Sequence, residues 1–200
     1  MDLILTAQLT EKYVVDLFER LTPSSLLYHN LSHTQQVVAH ATEIATYYQL
    51  DEQTLFIIKA AAWFHDTGHL VGEMAVHEAA SVDLMRVFME TQQISDTLID
   101  EISRCIMATR FPSHPQTLPE SIICDADTYH FGTPEFRITD DLVREEFQLR
   151  LCRQFPDWYE GALRLLKAHH FFTTYCQKKL DSGKFNNILY IEKKLENRSV

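Results

Sequence analysis

Apolar residues return every three or four positions along most of this chain, the period of a helix with one buried stripe. Residues 32–49 place Val37, Ala41, Ile44 and Tyr48 on one stripe, with Val38 and Ala45 beside it. Residues 51–66 repeat the pattern with Leu55, Ile58, Ala62 and His65, and residues 75–90 with His77, Ser81, Leu84 and Phe88. Residues 94–109 give Leu98, Ile102, Cys105 and Thr109; residues 120–131 give Ile123, Asp127 and His130. Further helices are predicted near 139–154, 157–180 and 184–196. Thr22-Pro23 and Leu118-Pro119 read as helix entries, with proline near the first turn. Gly68 and Gly72 bracket a break, Phe111-Pro112-Ser113-His114-Pro115 is incompatible with regular helix, and Asp181-Ser182-Gly183 reads as a helix end. The predicted architecture is an all-α, single-domain helical bundle spanning residues 1–200, with no internal repeat and no linker long enough to divide it.

Composition narrows the class. Five glycines and six prolines in 200 residues disfavour a turn-rich β fold, and 46% hydrophobic residues with 23% charged ones exclude a disordered chain. No run reaches the roughly 18 apolar residues of a membrane span, and the first residues lack the basic region of a signal peptide. The net charge of −10 argues against broad nucleic-acid binding. It is unevenly spread: residues 1–163 carry 10 Lys/Arg against 25 Asp/Glu, whereas residues 164–200 carry 8 against 3. Cys105, Cys124, Cys152 and Cys176 are far apart and form no CxxC, as in reduced thiols of a cytoplasmic protein.

The chemistry lies in polar residues at apolar positions. Eight of the ten histidines fall between residues 29 and 130. His33 and His65 sit on buried stripes, Asp66 follows His65, and Asp127 lies on a stripe between Ile123 and His130. A buried aspartate is costly unless it is paired or bound to a metal. Imidazole nitrogens and carboxylate oxygens converging from separate helices make a divalent-metal site.

The order His33, His65-Asp66, Asp127 resembles the HD superfamily of metal-dependent phosphohydrolases. Tyr28-His29-Asn30-Leu31-Ser32-His33-Thr34 is similar to the first-histidine segment of that family. Ala61-Ala62-Trp63-Phe64-His65-Asp66-Thr67-Gly68 is similar to its central doublet. His77-Glu78-Ala79-Ala80-Ser81, Ile106-Met107-Ala108-Thr109 and Cys124-Asp125-Ala126-Asp127 resemble later blocks, so that the motif core covers about residues 26–132. The resemblance implies an HD-type bundle with His33, His65, Asp66 and Asp127 as metal ligands and Asp66 as the residue able to bridge two metals. Asp125 competes with Asp127 as the final ligand or orients one from behind.

The resemblance further implies one or two divalent ions per chain (manganese, iron, magnesium, cobalt or nickel). The activity it implies is hydrolysis of a phosphoester in a small, nucleotide-like substrate by metal-activated water. Asp66 and His77 are the candidate catalytic residues, with His77 ahead of His114 as proton donor. His29, His114 and Arg110 are candidates for a second metal or for substrate phosphate; His29 reads equally as a loop histidine without a role. His69 lies near the mouth of such a site, whereas His130, His169 and His170 read as surface or core groups. The expected partner is a small phosphorylated substrate rather than a nucleic-acid polymer or a membrane, and the expected state is a monomer or homodimer. Two rival readings stand beside this one. The first is a di-iron oxygenase of the same fold, decided by His29, His77 and His114. The second is a non-catalytic phosphate-binding domain, against which the intact set of four ligands argues.

Overall fold

The computed structural model describes residues 2–197 and divides into two compact units between Asp127 and Thr128. The described residues form helices and no strands. The first unit holds α1 (Leu3–Leu21), α2 (Leu31–Tyr47), α3 (Glu52–Phe64), α4 (His77–Thr91), α5 (Asp96–Ala108) and α6 (Leu118–Asp127). Two short 3-10 turns, Thr67–Leu70 and Met74–Val76, link α3 to α4. The second unit holds a 3-10 turn over Tyr129–Gly132, then α7 (Phe136–Leu151), α8 (Trp158–Ala168) and α9 (Thr174–Glu196). No helix among the described residues is long and apolar enough to cross a membrane.

Side chains set several helix starts. Asp2, Asn30, Asp51 and Thr173 each accept a hydrogen bond from the backbone N–H three residues on, satisfying a donor that has no partner within its helix. In α2 the cap is Asn30, whose side-chain oxygen accepts from His33 N at 3.2 Å, so His29 precedes the helix.

The core of the first unit is α3. It packs against α1, α2, α4, α5 and α6, and Phe56, Ile57, Ile58 and Ala60 through Phe64 are all buried. Its stripe is therefore wider than Leu55, Ile58, Ala62 and His65 alone. Three consecutive alanines, Ala60 to Ala62, lower the helix profile so that neighbours approach closely. In α4, Met85 and Met89 fill core positions, while Leu84 is only half-buried.

Three expectations are corrected. Thr22-Pro23 is not a helix entry: Thr22 closes α1, its N–H and hydroxyl both bonding Phe18 O. The predicted helix over 157–180 is two helices, because His169–Thr173 leaves the helical path and Thr173 caps a new start. Asp181-Ser182-Gly183 does not end a helix but lies inside α9. Gly183 is there for close packing: a Cβ on it would lie 1.9 Å from Gly132 O. Asn187, one turn on, donates to Phe131 O and Thr133 O and holds the same contact.

Candidate metal centre

The site is assembled at helix ends of the first unit. His33 enters from the first turn of α2. His65 is the C-cap of α3, Asp66 follows it, and His69 lies in the Thr67–Leu70 turn. His77 opens α4, and Asp127 closes α6. Helix ends suit this task, since they aim several short polar side chains at one point while the helices bury the apolar stripes behind them.

Asp66 is the hub. Its Oδ2 lies 3.4 Å from His33 Nε2 and 3.2 Å from His65 Nε2. Asp127 Oδ1 completes that side, 3.1 Å from His33 Nε2 and 3.6 Å from His65 Nε2. The other oxygen, Oδ1, faces His77 Nε2 at 3.6 Å and His69 Nε2 at 3.9 Å. Two donor groups result, His33–His65–Asp127 and His29–Asp66–His69, each with ligand atoms within 4.8 Å of one another. The imidazoles brace each other: His69 stacks on His77 with ring centroids 3.8 Å apart and lies 4.6 Å from His29, while Tyr28 covers His33 at 4.5 Å.

Backbone carbonyls orient the rings. His65 Nδ1 lies 2.9 Å from Ala62 O and His77 Nδ1 lies 2.7 Å from Met74 O. Each Nδ1 therefore carries its proton as donor, which turns Nε2 toward the site, as a ligand atom in the case of His65. His65 Nε2 and Asp66 Oδ2 are buried and make no hydrogen bond. Buried polar atoms left without hydrogen bonds are costly, and these two point at one spot, together with His33 and Asp127. Nitrogen and carboxylate donors without thiolate fit a divalent cation of intermediate hardness. The donor set therefore fits a divalent cation. The His65 side chain is fully buried, whereas those of His77 and Asp127 are 20% and 25% exposed, so the site opens on their side.

Without a metal, the same atoms form an ion-pair cluster. Burial pulls the His33 and His65 pKa values down, but the hydrogen bond of His33 to Asp127 and the negative charges of Asp66 and Asp127 outweigh it, and both are raised, His65 strongly. Burial pushes the two carboxyls up, and the histidines more than reverse it, holding Asp66 and Asp127 well below the usual carboxylate range.

The structure thus gathers His29, His33, His65, Asp66, His77 and Asp127. Asp127, rather than the fully buried Asp125, joins His33 and His65. Arg110 and His114 are solvent-exposed in the segment between α5 and α6 and belong to neither donor group. His69 is more central than the sequence reading placed it. Its signal was the spacing His65-Asp66-x-x-His69, which a 3-10 turn wraps onto one side.

The family model for the HD domain matches residues 30–132, and the chain belongs to the HD domain family. No curated protein matches it in sequence. Among solved structures it is similar to a Lactobacillus plantarum protein, with TM-score 0.71, 17% identity, and 98% of this chain and 96% of that one covered. It is also similar to Bacillus subtilis YpgQ, solved in complex with ADP, with TM-score 0.64, 16% identity and 98% and 97% covered. A predicted HD superfamily hydrolase from an uncultured Thermotogales bacterium gives TM-score 0.60 at 18% identity, with 95% and 91% covered. At these identities the likeness is one of fold.

Proposed function

We propose that this protein is a metal-dependent phosphohydrolase acting on a phosphoester of a small, nucleotide-like substrate. The observation that carries the proposal is Asp66, whose two oxygens face two separate sets of imidazoles while Oδ2 and His65 Nε2 are buried without hydrogen bonds. His33, His65, Asp66 and Asp127 would hold a divalent ion, and His29, His69 and the second Asp66 oxygen would hold another. Such an ion supplies activated water near neutral pH and neutralises charge on phosphoryl oxygens.

The chain's own groups do the rest. An overall charge of −10 repels a phosphorylated substrate, so attraction must be local, at the histidine-rich mouth. His77, partly exposed and held by Met74 O, presents Nε2 where a proton can pass to the leaving oxygen. Arg110 is the guanidinium proposed to reach a substrate phosphate, and His114 an accessory to it. The complex of YpgQ with ADP supports a nucleotide among the substrates tested first. The scattered cysteines, none of them in a CxxC pair, suit a reducing compartment and support a cytoplasmic enzyme.

The test is phosphate release by Mn²⁺-loaded protein from a panel of nucleoside mono-, di- and triphosphates, cyclic nucleotides and sugar phosphates. Release from at least one, abolished in Asp66→Ala, supports the proposal. Metal-loaded protein that hydrolyses none of them overturns it. The imidazoles of His69 and His77 beside Asp66 Oδ1 also suit a pair of irons, and oxygen uptake by iron-loaded protein would move the reading to an oxygenase.

A further inference from the structure

We propose that Ser81 is a positioning residue that sets the bend at Asp66, and with it the separation of the two donor groups. The inference rests on the metal reading above.

Ser81 lies one turn after His77 on α4 and is fully buried. Its hydroxyl donates to His65 O at 2.7 Å and accepts from Gly68 N at 2.8 Å. One oxygen therefore closes a ring around Asp66 and Thr67. The carbonyl it binds belongs to the peptide that joins His65 to Asp66. The N–H it binds lies between Asp66 and His69. Thr67 Oγ1 donates back to Phe64 O at 2.8 Å, and His69 N donates to Asp66 O at 3.0 Å, so the segment from His65 to His69 has its backbone pinned on both sides.

This is not how a buried helical serine usually satisfies itself. Ser103 in α5 bonds the carbonyl four residues back, Ile99 O, at 2.7 Å. The corresponding carbonyl for Ser81 is His77 O, and the Ser81 hydroxyl is spent across the chain instead. His77 O fills another place: a Cβ on Gly68 would lie 1.9 Å from it. One turn of α4 thus supplies the His77 imidazole, a wall against Gly68, and the hydroxyl that fixes the segment carrying His65, Asp66 and His69. If that hydroxyl is lost, the Asp66 carboxylate is free to rotate away from a geometry in which Oδ2 serves one set of imidazoles and Oδ1 the other.

Supports of this kind are worth roughly 10–100-fold in metal affinity. The experiment is calorimetric titration of Mn²⁺ into chelator-stripped, folded full-length protein, for wild type, Ser81→Ala, Ser81→Cys and Ser103→Ala. The proposal expects Ser81→Ala to bind Mn²⁺ roughly 10–100-fold more weakly. Ser81→Cys, close in shape but a weaker hydrogen-bonding group, should fall between Ser81→Ala and wild type, and Ser103→Ala should bind like wild type. A serine that merely supports the fold would lower the melting temperature and leave the Mn²⁺ affinity of the folded fraction unchanged. That result for Ser81→Ala and Ser81→Cys overturns the proposal, and Ser81→Cys decides alone if Ser81→Ala does not fold. Wild type that binds no Mn²⁺ would overturn the metal reading itself, and is told apart because it needs no Ser81 variant.

Discussion

Gly68→Ala should damage the site through the backbone alone. A Cβ at position 68 would stand 1.9 Å from His77 O, 2.8 Å from His77 C and 2.9 Å from Ser81 N, where real Cβ atoms essentially never come closer than 3.0 Å. The obstructing atoms are all backbone, so no flexible side chain can swing aside. His77 O would have to retreat from 1.9 Å to at least 3.0 Å, carrying the first turn of α4 with it. Overpacking of this kind costs about 1–3 kcal/mol. For a chain of this size each kcal/mol lowers the melting temperature by about 2–4 °C. The same retreat moves His77 Nε2, now 3.6 Å from Asp66 Oδ1, and strains both Ser81 hydrogen bonds. Thermal unfolding and Mn²⁺ titration, read side by side, provide the assay. Gly72→Ala is the control, since its Cβ would meet nothing nearer than 3.4 Å. A Gly68→Ala protein as stable and as tight for Mn²⁺ as the Gly72→Ala protein would mean that the His77 carbonyl does not confine position 68.

Other expectations follow from the same structure. Metal affinity should rise with pH. Without metal, His33 and His65 are raised above their ordinary value of 6.5, so their protonation stabilises the metal-free fold below that value, and this contribution fades as pH climbs through the raised folded values. Binding must displace those protons, and calorimetry in buffers of different ionisation enthalpy should show their release; affinity independent of pH would contradict the cluster. Thiol titration of the native protein should find one fast cysteine, the exposed Cys152, and four after unfolding, because Cys105, Cys124 and Cys176 are buried and burial pushes Cys105 up to about 12. Two or more fast thiols in the native state would contradict the packing of α5, α6 or α9. Gly161→Ala, in α8 with nothing closer to a new Cβ than 4.0 Å, should raise stability by up to about 1 kcal/mol in urea unfolding; a loss would contradict the open surface at that point.

Helices α2 to α6 were legible because each carries an apolar stripe, whereas α1, Leu3–Leu21, was not among the predicted helices. The candidate ligands His33, His65 and Asp127 stood out because they put polar groups on those stripes. His69 was underestimated for the converse reason. It sits in a 3-10 turn, where helical spacing gives no guide, and only the folded chain shows it beside His77. The second unit was harder. Gly183 looked like a helix end because glycine is a poor helix former. In the fold the same absence of a Cβ admits the Gly132 carbonyl, and α9 runs on. The break between α8 and α9 carries no glycine or proline. His169 leaves the helical path in extended backbone, and the Thr173 cap that restarts the helix is visible only in three dimensions.

The central claim is that Asp66 and its histidines hold a divalent metal. Elemental analysis per chain, on wild type and Asp66→Ala purified without added metal or nickel affinity resin, tests it most directly. At least one equivalent of divalent metal is expected in the wild type, and its loss in the variant. No metal in either protein, even after reloading with Mn²⁺, would contradict it.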